Sequence, residues 1–191
     1  MRTSPAGFAM SELSKVAERC NPDFDSSRAI SWHAGQETWV EWLQSIFEPI
    51  LLPHLGRVLN FAERQSAREI FLLDVELNRC LKPWARQSSA DAGRLLLQRR
   101  TPRSERLMAR IQEAIQNGEA VGHFATLYAV RCSAFSIPLR TAILSYLVQE
   151  LAAGAPDESV RVKLLAASVD SVNEFLRISS NGLNEGLRVH G

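Results

Sequence analysis

Apolar residues recur along this chain at three- and four-residue steps, a pattern that predicts helices almost from end to end. Trp39, Trp42, Leu43, Ile46, Phe47, Ile50 and Leu51 make one wide apolar face. Pro53 lies just beyond and marks an expected helix end, because proline lacks an N–H and clashes with the preceding turn. Ile70, Leu73, Leu77 and Leu81 repeat the pattern and stop before Pro83. Leu107, Met108, Ile111 and Ile115 form another segment, opened by Thr101-Pro102 and closed by Asn117-Gly118 as a left-handed cap. Phe124, Leu127, Tyr128, Cys132 and Phe135 mark a further helix. Ser136 and Pro138 open the next, with Leu139, Ala142, Ile143, Tyr146, Leu147 and Leu151.

Gly154-Ala155-Pro156-Asp157 breaks that helix, and Asp157 can cap a last long one carrying Val162, Leu165, Val169, Val172 and Leu176. Residues 21–35, rich in Asn, Pro, Asp, Ser and Gly, read as a loop. Alternating segments of strand type are missing, and no period of 20–50 residues supports a solenoid. The expectation is an all-α fold: one compact domain over residues 1–178, built from about seven to eight helices. A polar, Gly-containing tail follows at 179–191, flexible or ordered by a partner.

Composition narrows the class. With 191 residues, 46% hydrophobic and 23% charged, the chain can bury a core, and neither a disordered nor a collagen-like composition fits. The longest apolar runs, such as Ile50-Leu51-Leu52, are far too short to cross a bilayer. The first residues carry no hydrophobic stretch of a secretory signal, so a cytoplasmic protein is expected. Cys20, Cys80 and Cys132 are odd in number and far apart, which suits a reducing compartment better than a disulfide framework.

Chemical signatures are sparse. No Gly is followed by Lys, so there is no P-loop, and no G-x-S-x-G, H-E-x-x-H or C-x-x-C occurs. His33, His54, His123 and His190 are scattered without a Cys or His at ligand spacing. His123 reads as a packed structural residue, and His190 is a weak candidate for a metal ligand in a dimer. The chain reads as non-catalytic. One segment departs from the net charge of +1: from Arg79 to Arg110, nine cations face only Asp91 and Glu105. Such a run is either a solvated face or a docking surface for an acidic partner. Nucleic acid is not expected, since only Trp84 supplies an aromatic there.

One stretch is more specific. Leu73-Asp74, then Arg86-Gln87-Ser88-Ser89-Ala90-Asp91-Ala92-Gly93-Arg94-Leu95-Leu96, resembles the R-x-x-S-x-x-x-G-x-x-L signature, preceded by an L-D pair, of the urease accessory protein UreF family. Arg86, Ser89 and Gly93 fall on the matching positions. Pro5-Ala6-Gly7-Phe8 is similar to that family's P-x-G-G-F, one residue shorter. Gly122-His123-Phe124 through Ile137-Pro138-Leu139 and Tyr146-Leu147 follows in the family's order, and Val160-Arg161-Val162 falls where the family has A-A-V-R-L. The family's P-L-G-Q is here Lys163-Leu164-Leu165-Ala166-Ala167, as in a diverged member.

The residues have a physical reading of their own. Ser89 and Gly93, four apart, share a helix face where small side chains admit a close neighbour. Arg86, on the same side, could bond helix-terminal carbonyls or a partner's carboxylate. Arg161 follows Asp157-Glu158 at a helix start. Arg161, Arg86 and Arg94 are the candidate partner-binding residues; Ser89, Gly93, His123 and Tyr146 are the candidate structural motif. The resemblance implies an all-α homodimer that joins a UreD/UreH-type accessory protein and the GTPase UreG, in the assembly that delivers nickel to apo-urease. No tightly bound cofactor is expected. The alternative is a helical chaperone of a redox-enzyme precursor, of the type that assembles molybdenum oxidoreductases.

Overall fold

The computed structural model describes residues 5–22, 36–99, 105–155 and 157–188, and every regular element among them is a helix. In chain order these are α1 (Pro5–Cys20), α2 (Gln36–Trp42), a π-helical segment (Leu43–Leu51), α3 (Leu52–Glu63), α4 (Ala67–Cys80), α5 (Pro83–Leu97), α6 (Glu105–Gln116), α7 (Phe124–Ala134), α8 (Leu139–Gly154) and α9 (Glu158–Arg188). The all-α expectation is met, in one compact domain.

α7 and α8 form the centre because they have almost no polar face. Every residue from Phe124 to Cys132, and from Ala142 to Leu151, is buried. A helix that is apolar all round must be covered all round. α3 and α5 cover α7, while α1 and α9 cover α8. Phe124, Tyr128 and Tyr146 meet where the central pair touch, with ring centroids 5.6–5.9 Å apart. The outer helices are amphipathic: α4 buries Ala67, Ile70, Leu73 and Leu77.

The helix carrying Trp39 does not end at Pro53, which corrects the reading of that proline as a stop. The rod widens into the π-helical segment around Pro49 and continues as α3, with Pro53 in the first turn. A wider turn relieves the contact between a proline ring and the carbonyl behind it, and a first-turn residue needs no N–H partner within its own helix. Other boundaries follow the sequence more closely. α4 stops ahead of Pro83, and α6 is closed just past its end by Gly118, whose φ is +74°. There Gly118 N–H reaches Ile115 O and Glu119 N–H reaches Ala114 O, the paired bonds of a left-handed helix cap. The Thr101-Pro102 opening and most of the 21–35 loop lie outside the described residues. α9 runs to Arg188, so positions 179–188 of the segment set apart as a tail continue this helix.

Candidate functional site

The residues of the family-like signature converge on the start of α7. Asp74, on α4, is 1% exposed, and its carboxylate accepts hydrogen bonds from three successive backbone N–H groups. Val121 and Gly122 N–H bond Oδ2 at 2.7 Å each, and His123 N–H bonds Oδ1 at 3.0 Å. The Thr126 hydroxyl donates to Oδ1 at 2.6 Å. These groups precede or open α7, so the anion sits at the positive end of that helix. Asp74 is a helix cap supplied from another helix.

Two neighbours complete the cap. Ser89 Oγ accepts the Phe124 N–H at 3.1 Å. Gly93 lies against Gly122 so tightly that an added Cβ would stand 1.9 Å from the Gly122 carbonyl oxygen. The Ser-x-x-x-Gly spacing therefore puts a hydrogen-bond acceptor and a bare backbone on the one face of α5 that meets this turn. Arg86 closes the preceding junction: Nε donates to Leu81 O at 2.8 Å and Nη2 to Arg79 O at 3.4 Å, at the C-terminus of α4. Of the two partners open to it from sequence, helix-terminal carbonyls hold it here.

Two histidines line the cap. Thr126 gives its proton to Asp74, so it accepts from His54 Nε2 at 2.9 Å, which places that ring's proton on Nε2. Burial pushes His54 down to about 4, against the pull of Asp74. His123 is fully buried as the residue preceding α7, with Nε2 3.2 Å from Asn78 Oδ1, and burial lowers its pKa too. Both rings are neutral at physiological pH.

The other named residues lie elsewhere. Arg94 is exposed on α5 and pairs with Asp91 one turn away. Arg161 is half-buried in the first turns of α9, whose start is capped by Asp157 Oδ1 accepting the Ser159 N–H at 2.7 Å. Tyr146 is buried in α8 with Glu150 one turn on; burial raises both, Glu150 to about 8. His190 lies outside the described residues. Among the described residues, no group of three or more His, Cys, Asp and Glu side chains could hold a metal ion, and no helix is long and apolar enough to cross a membrane.

Sequence reasoning passed over a second polar seam. Arg131, 1% exposed, donates from Nε to the Cys20 carbonyl and from Nη1 to Arg99 O at 3.0 Å, tying the C-termini of α1 and α5 to α7. Asn21 Nδ2 donates to Gln149 Oε1 at 3.0 Å, and Gln149 Nε2 to Ala17 O at 3.2 Å. The available signal was a charge in the middle of an otherwise apolar helix, Arg131 in α7 and Glu150 in α8.

Fold and site together define an all-helical protein whose most distinctive motif is architectural, an interior cap that locks α4, α5 and α7. The UreF family model matches residues 33–154, well over half of the chain, and the chain belongs to that family, with the accessory role in urease maturation that membership carries. Neither a curated protein nor a solved structure matches it. The matched region ends at Gly154, so α1 and α9, with Arg161, lie beyond it.

Proposed function

We propose that this chain is a non-catalytic, cytoplasmic adaptor that joins a UreD/UreH-type protein to the GTPase UreG, in a complex that carries nickel as cargo to apo-urease. The family match carries this reading. The geometry supports it in one respect: the signature residues are used up inside the molecule, which leaves partner contacts to the surface. Arg86 is already engaged with backbone carbonyls, so docking falls to Arg94 and Arg161. Arg94 is exposed in the last turn of α5, next in sequence to Leu95, whose apolar side chain is exposed too. A cation near a helix start is disfavoured by about 0.3–1 kcal/mol, which a partner's carboxylate on Arg161 would offset. The redox-enzyme chaperone reading gains nothing from the family match.

The test is co-purification of the full chain with the GTPase and the UreD-type protein, with and without nucleotide. A three-component complex is expected. Arg161→Ala should fold normally and weaken GTPase binding by about 2 kcal/mol or more in titration calorimetry. Failure to co-purify in either nucleotide state would overturn the adaptor reading. Wild-type binding by both Arg161→Ala and Arg94→Ala would overturn only the docking surface.

A further inference from the structure

Cys20 ends α1 and Cys132 lies in α7, 112 positions apart in sequence, yet their Sγ atoms are 3.5 Å apart and both side chains are fully buried as free thiols. The surroundings hold them there. Arg131 grips the Cys20 carbonyl, and the Asn21–Gln149 and Gln149–Ala17 bonds pin the end of α1 to α8. A disulfide needs sulfurs about 2 Å apart, so closure asks for roughly 1.5 Å of approach, within reach of side-chain rotation. We propose that Cys20 and Cys132 are a modification site: a small hydroperoxide converts them into a reversible disulfide that fastens α1 to the α7–α8 core.

The environment divides the roles. Cys20 sits near Arg131 and Arg19, and the Cys132 contact and these cations lower its pKa; burial raises that of Cys132. Cys20 gives its proton to solvent and the thiolate attacks the terminal peroxide oxygen; the O–O bond breaks, and the departing hydroxide or alkoxide takes a proton back from solvent as water or alcohol, giving a sulfenic acid. Cys132 sulfur then attacks Cys20 sulfur, the S–O bond breaks, and the departing hydroxide takes the Cys132 proton and leaves as water. Two electrons pass from the thiols to the peroxide. The oxidant enters by local opening of α1, a single surface helix whose outer face carries Glu12, Lys15 and Glu18. The site lies partly in α1, outside the matched family region, and does not depend on the adaptor reading.

The test uses the full chain with Cys80→Ser, which removes the exposed thiol. After brief treatment with hydrogen peroxide, intact mass should fall by two hydrogens, and a peptide linking positions 20 and 132 should appear and vanish with dithiothreitol. The oxidised protein should melt about 5–15 °C higher, because the bond closes a long loop. Adding Cys132→Ser should stop the reaction at a sulfenic acid on Cys20 that dimedone traps. If both thiols stay alkylatable in denaturant, or gain oxygen without the cross-link, the proposal fails. The parent measurement decides this even if the second variant does not fold.

Discussion

At Gly93 the whole constraint is one missing carbon. The atom that would clash is a backbone oxygen, Gly122 O, and the turn bearing it is held by Asp74. Neither side can give way without opening the cap. Gly93→Ala, which in an exposed helix would stabilise, should here cost about 3 kcal/mol or more, read as a shift in urea midpoint. Glu150 gives a pH signature. Its folded pKa, about 8, lies above the ordinary 4.5, so the native state holds its proton more tightly than the unfolded chain. Its contribution is full below pH 4.5 and is lost as pH rises through 8, by roughly 3–5 kcal/mol. His54 runs the other way: with a folded pKa near 4 against 6.5, it costs stability as pH falls from 6.5 through 4. Glu150→Gln should therefore flatten the decline of wild-type stability between pH 6 and 8.5, measured by denaturant titration at each pH, and leave the acid limb in place.

Helix ends show the same economy at the next scale. α3 and α7 both finish in left-handed caps without glycine: Gln65 has φ 57° and Ser136 φ 56°. Around Ser136, its own N–H bonds Ser133 O at 2.9 Å and Ile137 N–H bonds Cys132 O at 2.9 Å. The cap geometry is kept while the side chain stands in a region that favours glycine. Ser136 is exposed, so Ser136→Gly removes strain and loses little packing. It should stabilise by about 0.5–1 kcal/mol, a rise of roughly 1–4 °C in thermal midpoint by calorimetry. The π-helical segment makes the complementary point, that a rod can pass two prolines by changing pitch.

For the molecule as a whole, α1, α8 and α9 leave an apolar groove lined by Leu13, Val16, Leu144, Val162, Leu165 and Val169. An uncovered apolar surface, together with the family resemblance, motivates the expected homodimer. Light scattering at micromolar concentration, without partners, should give twice the chain mass; a monomer would remove the dimer from the proposed assembly.

Helix content and most helix positions were legible in the sequence because they rest on local facts: apolar spacing, caps and breakers. Asn117-Gly118 as a cap and Pro83 as a boundary needed nothing beyond their neighbours. Pro53 misled because its cost depends on the pitch of the turn before it, and that pitch is set by how Leu43, Phe47 and Leu51 pack. The Arg86, Ser89 and Gly93 spacing gave the family and placed the small residues on one face. That this face meets the turn before α7, and that Asp74 supplies its charge, depends on contacts 35, 48 and 49 positions apart. The cysteines show the limit most sharply. Their wide spacing and odd number spoke against a disulfide framework and said nothing of which would meet, yet packing of α1 beside α7 brings two of them into contact as free thiols. Local propensity fixes where the helices are; only the way they pack decides which distant atoms become neighbours.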